Sequence, residues 1–135
     1  FMELLAPGVK HVGVLSTTGT YSAGIYRMAL AADGYDPVLP PADMQEELIH
    51  PAIYDPEYGI KSLADGIHPR AVENLDRVLA WLESRGAEAV ILGCTEIPLA
   101  FPAARTRGML SIDPALALAR ALLRESKPEK LTPLN

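Results

Sequence analysis

Glu88-Ala89-Val90-Ile91-Leu92-Gly93-Cys94-Thr95-Glu96 is the stretch that decides how this chain is read. Ala89 to Leu92 is an unbroken apolar run, too short for a helix and lacking the alternation of a half-buried strand. Such a run is a strand covered on both faces, as strands are in a parallel sheet. Gly93 then permits a tight turn and a close backbone approach. Cys94, Thr95 and Glu96 follow where the strand emerges, so polar and reactive groups gather at its carboxyl end.

On the amino side of this strand, Arg70 to Arg85 reads as an amphipathic helix. Val72, Leu75, Val78, Leu79 and Leu82 form its stripe and Gly86 ends it. On the carboxyl side, a proline-containing loop leads to a short strand at Met109 to Ile112. Asp113 then caps a last amphipathic helix carrying Leu116, Ala119, Leu122 and Leu123. Nearer the start, His11 to Leu15 is another short apolar strand, followed by a hydroxyl- and glycine-rich loop, Ser16 to Thr20. The spacing of Ile25, Met28, Ala29 and Ala32 predicts a helix packed on that face and stopped by Gly34. Asp36 to Pro40, bounded by prolines, is expected to be a strand near an edge. Asp43 to Tyr54 is expected to be a helix capped by Asp43, with Glu46 as its capping-box partner. Residues 55–69 are punctuated by Gly and Pro and read as a surface loop.

Short apolar strands alternating with helices predict an α/β fold of three layers, a roughly four-stranded parallel sheet with helices on both faces. Residues 1–126 form one such domain, and 127–135 read as a frayed tail. Ligands of such sheets bind at the carboxyl ends of the strands, which puts Ser16–Thr20 and Gly93–Pro98 on one rim.

Composition narrows the function classes. The net charge is −5 and no basic stripe is present, so a nucleic-acid partner is not expected. The longest uncharged apolar run is far too short to span a bilayer, and no leader pattern opens the chain. The single cysteine fits a reducing cytoplasm. The start at Phe1 rather than Met reads as a fragment or a processed chain.

A lone cysteine is commonly an inert small hydrophobe. At a strand end, however, unpaired N–H groups favour a thiolate, so Cys94 is expected to ionise below the usual value of about 8.5. There is no Cys-x-x-Cys pair, and Ala100 stands where a phosphatase-like loop would carry arginine. His11, His50 and His68 read as solvated or structural, the latter two in loop-like surroundings, and none has metal-ligand spacing. Ser16 to Thr20 matches neither a P-loop nor a dinucleotide fingerprint. Its N–H and hydroxyl groups suit a small carboxylate, and equally an ordinary strand–helix turn with Thr20 or Ser22 as N-cap.

Val12-Gly13-Val14-Leu15-Ser16-Thr17-Thr18-Gly19-Thr20, with Gly24-Ile25-Tyr26, resembles the opening of the second domain of the aspartate/glutamate racemase family. Ala87 to Leu99, with Leu92-Gly93-Cys94-Thr95-Glu96 at its centre, resembles that family's second cysteine motif. Ile53-Tyr54, Tyr58-Gly59-Ile60-Lys61 and Ile112-Asp113-Pro114 are similar to further family segments. The resemblance implies a cofactor-independent enzyme in which two cysteines flank the substrate α-carbon, one as thiolate base and the other as thiol acid. It implies that Cys94 is one of them, that Thr18, Thr20 and Thr95 hold the substrate carboxylate, and that Lys61 is a candidate ligand for a side-chain carboxylate. The implied substrate is an amino acid such as aspartate or glutamate, with no metal and no cofactor. Family members carry the other cysteine in a first domain, which nothing in this chain supplies, and their last helix packs on that domain. A homodimer, or association with such a first domain, is therefore expected. A related decarboxylase or isomerase, or a catalytically incomplete domain that binds carboxylates or self-associates, is the alternative.

Overall fold

The computed structural model describes residues 5–133. Five strands form one sheet in the order β2-β1-β3-β5-β4, where β1 is His11–Ser16, β2 Asp36–Val38, β3 Ala89–Gly93, β4 Arg105–Thr106 and β5 Met109–Ile112. The first four in that order run parallel, as expected, and β2 is indeed an edge. The fifth, β4, is an antiparallel addition of two residues that the sequence did not announce. It closes on β5 through Arg107 and Gly108, both at positive φ (50° and 81°), the backbone twist a two-residue hairpin requires. Arg107 is fastened there by Asp76 (3.0 Å) and Glu83 (3.1 Å) of the long helix.

Side chains alternate along the strands and divide the core in two. Leu15, Val90, Leu92 and Met109 join one apolar cluster, and Val12, Val14, Ala89, Ile91 and Ile112 the other. The first is covered by α5 (Pro69–Ser84), through Leu75, Val78, Leu79 and Leu82, and by α4 (His50–Tyr54), through Ala52 and Ile53. Here Gly13 lets α5 approach: a Cβ on it would lie 3.1 Å from Leu82 Cδ1. The second cluster is covered by α2 (Ile25–Ala32), but with a different face from the one expected. Leu30 is buried and Tyr26 packs beside it, while Ile25 (53% exposed) and Met28 (60%) face solvent. Leu30 and Tyr26, not the stripe through Ile25, Met28, Ala29 and Ala32, supply the face that meets the second cluster.

The helical stretch at 42–54 is irregular because a proline interrupts its hydrogen-bond ladder. It comprises α3 (Ala42–Met44), a π-helical segment (Gln45–Ile49) and α4. Pro51 has no N–H to donate inside this run, and His50 N–H bonds five residues back, to Gln45 O. The expected cap is also displaced. Pro41 holds the N-cap position, and Asp43 instead accepts the N–H of Met44 at 2.9 Å.

Before β2, Thr18–Ala23 forms α1, and Gly24 at φ +66° separates it from α2. A short α6 (Ile97–Ala100) follows the cysteine loop. The last helix, α7 (Pro114–Ser126), is capped by Asp113, whose carboxylate accepts Ala115 N–H at 2.8 Å. Its Leu116, Leu118 and Leu122 are largely exposed. Beyond it, Pro128–Lys130 forms a 3₁₀ turn, and Thr132 O accepts from Arg120 at 2.9 Å.

Candidate active site

The register of the sheet builds the site. Ser16, the last residue of β1, lies opposite Gly93, the last residue of β3, so the two loops do leave the sheet side by side at its carboxyl edge. Gly93 is required there. A Cβ would fall 2.7 Å from Tyr26 Cε2 and 3.0 Å from the carbonyl oxygen of Leu15.

Cys94 follows at 9% exposure, at the margin of the first core cluster. Its Sγ donates to Glu96 Oε2 at 3.0 Å, and Thr95 Oγ1 donates to the same oxygen at 2.7 Å. Lys61 Nζ lies 3.4 Å from it. Lys61 is carried there by a fold-back of the chain onto α4. Asp55 accepts the N–H groups of Glu57 (2.8 Å) and Tyr58 (3.2 Å), and Ile60 and Lys61 N–H bond to Ala52 O and Ile53 O. Gly59 in this turn has no room for a Cβ, which would sit 2.5 Å from Asp55 N. The stretch read as a loose loop is thus an ordered turn where it matters.

The expected downward shift of the Cys94 thiol is not found. Burial pushes it up, and the hydrogen bond to the Glu96 carboxylate adds to that, outweighing the ammonium of Lys61. A thiol donating to an anion is favoured as the thiol, and this contact dominates over the strand-end N–H groups. Glu96 is correspondingly held below the usual carboxylate range, chiefly by that hydrogen bond from Cys94. Burial pulls the Lys61 ammonium down, but Cys94, Glu96 and Tyr54 outweigh it and the net shift is upward.

On the neighbouring loop, Thr17, and neither Thr20 nor Ser22, caps α1. Its side chain accepts Thr20 N–H at 3.5 Å and donates to Thr20 Oγ1 at 3.1 Å. Thr18 Oγ1 accepts from Gln45 Nε2 (3.2 Å) and lies 3.0 Å from His50 Nδ1. Gln45 is buried to 1% exposure, its Nε2 also donates to Ser16 O at 3.1 Å, and its Oε1 has no partner. The structure therefore brings Cys94, Thr95 and Lys61 together, and ties Thr18 to a second group. The two groups meet through the Tyr54 ring, against which the His50 ring is tilted by 40°. His50 packs on Tyr54 (5.0 Å between centroids), and Lys61 Nζ sits 5.6 Å from the Tyr54 centroid.

His50, within the stretch expected to be helical, opens α4, and His68 caps α5 by accepting Arg70 N–H at 3.1 Å. Glu96, Gln45 and His50 were not among the expected site residues. Glu96 stands inside the cysteine motif itself, two residues from the thiol. The others become visible only when the helical stretch docks on the first loop. Among the described residues, no group of three or more His, Cys, Asp or Glu side chains could hold a metal ion, and no helix is long and apolar enough to cross a membrane.

A family model described as Asp/Glu/hydantoin racemase matches residues 1–122. The chain belongs to the Asp/Glu/hydantoin racemase family. Over 130 residues it is 31% identical to a glutamate racemase of Synechococcus sp. (strain CC9605), covering 92% of this chain and 45% of the relative. Among solved structures, this racemase-family chain is similar to an aspartate racemase homologue from Pyrococcus horikoshii OT3. The TM-score there is 0.68 at 31% identity, over 92% of this chain and 51% of that one. An aspartate racemase of Picrophilus torridus matches at TM-score 0.63 and 29% identity, over 87% of this chain and 46% of its own. The chain spans about half the length of these relatives.

Proposed function

We propose that this racemase-family chain supplies one thiol half of a cofactor-independent amino-acid racemase in the cytoplasm, with Cys94 as an acid/base group at the substrate α-carbon. The observation that carries the reading is the placement of Cys94 at the carboxyl end of the central strand, hydrogen-bonded to the Glu96 carboxylate on which the Lys61 ammonium also sits. As a thiolate, Cys94 would take the α-proton, and the electron pair left on the α-carbon would delocalise into the substrate's own α-carboxylate. As a thiol, it would return a proton to that carbon from its own side. Inversion needs a second acid/base group on the opposite face, which we assign to a partner half covering the rim, either a first domain or a second copy of the chain. Thr18, Thr20 and Thr95 are proposed to hold the substrate carboxylate, and Lys61 the side-chain carboxylate of aspartate or glutamate.

Exchange of the α-proton of L- and D-aspartate in D₂O tests this. With the partner half present, exchange with inversion is expected; with this chain alone, slow exchange with retention. Cys94→Ala is expected to abolish both, and a Cys94→Ala chain that exchanged as fast as the unaltered one would remove the thiol from the mechanism.

A further inference from the structure

Three donors converge on one oxygen. Cys94 Sγ at 3.0 Å, Thr95 Oγ1 at 2.7 Å and Lys61 Nζ at 3.4 Å all address Glu96 Oε2. Two hydrogen-bond donors and an ammonium gathered around a single carboxylate oxygen form a cradle for a carboxylate, and a residue of the chain fills it. We propose that Glu96 is a built-in cap: its carboxylate occupies the position that the carboxylate of a small anionic ligand takes, and such a ligand binds by displacing it. This rests on the reading of Thr95 and Lys61 as ligand-binding groups beside the thiol of Cys94, and adds that the unliganded site is self-occupied.

The local structure permits the exchange. Glu96 directly precedes α6, its carbonyl accepts Leu99 N–H at 3.0 Å, and its side chain caps no helix end, so the side chain can leave without disturbing the backbone. It is about a quarter exposed and, with Lys61, lines an open cavity of about 610 Å³ whose other walls include Ile60, Leu63, Ile67 and Leu99. A displaced carboxylate therefore turns toward water rather than into the core, and the incoming one inherits its three donors. The exchange conserves the hydrogen bonds to the cradle, so the balance is set by what else the ligand touches.

The consequence is a reduced apparent affinity. A ligand that binds only the uncapped form has its dissociation constant raised by the inverse of the uncapped fraction. Because the incoming carboxylate takes the same three donors, Cys94 donates to a carboxylate in the empty and in the occupied site alike.

Calorimetric titration of the whole 135-residue chain with malonate tests the cap. Malonate presents carboxylates but is not an amino acid, so the result does not depend on racemisation and separates failure of the cap from failure of the racemase reading. Glu96→Gln and Glu96→Ala are expected to bind malonate about fivefold tighter than the unaltered chain, as removal of an intramolecular competitor that fills roughly four-fifths of the sites would produce. Lys61→Gln is expected to bind it more weakly than the unaltered chain. Equal or weaker binding by both Glu96 variants, or no malonate binding by any of the chains, would overturn the proposal.

Discussion

The thiol of Cys94 is shaped by what lies within two residues of it. Its partner is the Glu96 carboxylate, and burial and that contact both favour the protonated form. Alkylation of Cys94 by iodoacetamide is accordingly expected to rise through a midpoint above that of a free cysteine, about 8.5. Glu96→Gln is expected to lower the midpoint, and mass-spectrometric rates across pH 7 to 11 check both. The same sign carries to stability. A group whose folded pKa is raised stabilises fully below its unfolded pKa, and the contribution is lost as pH rises through the folded value. Glu96, held low, has the opposite profile, with a contribution present above the ordinary glutamate range and lost as pH falls through its folded value. At this scale the sequence was only partly legible. The motif displayed the cysteine and both of its neighbours. It did not display the direction of the thiol's shift, because that depends on which way the Glu96 side chain turns.

At the scale of elements, the strand–loop junctions carry the tightest constraints. Gly93→Ala would drive a Cβ to 2.7 Å from Tyr26 Cε2 and 3.0 Å from the Leu15 carbonyl oxygen. A cost of about 1–3 kcal/mol is expected, the range for overpacking a filled interior, read as a lower urea midpoint at unchanged slope. A smaller loss would mean that Tyr26 swings aside, since a side chain yields where a backbone carbonyl does not. Elements with strong periodicity, α5 and β3, fall where apolar spacing puts them. The elements that deviate do so for local reasons. Arg107 gives no turn signal in sequence, yet it holds positive φ because Asp76 and Glu83 fasten its guanidinium to α5. Pro51 sits within a helical run that accommodates it by widening one turn.

At the scale of the whole molecule, helices α7 and α2 each leave large apolar side chains exposed among the described residues. Leu116, Leu118 and Leu122 on α7 are 47–63% exposed, and Ile25 and Met28 on α2 are 53–60% exposed. Side chains that exposed contribute little to the fold of the chain itself. Leu118→Glu with Leu122→Glu is therefore expected to shift folding stability by no more than about 0.5 kcal/mol per site in thermal melts. We propose further that the partner half covering the rim also packs on the last helix, as the family resemblance implies, so the same pair of changes is expected to weaken that association in sedimentation analysis. A large loss of stability in the lone chain would instead place α7 in its core.

What the sequence determined by itself is what short-range physics determines. An apolar run of four residues makes β3 a central strand, a 3.6-residue stripe makes α5 a covering helix, and a cysteine after Gly93 must emerge at the strand's end. What only the tertiary structure decided is which side chains meet across long separations. Lys61 reaches Glu96 because the chain folds back on α4. His50 reaches Thr18 because the helical stretch at 42–54 docks on the first loop, through Gln45 as well as His50. Glu96 fills the cradle because three donors from two segments converge on one oxygen. Periodicity reports the face that a residue takes, whereas the partner it finds there depends on backbone paths set by residues far away in the chain.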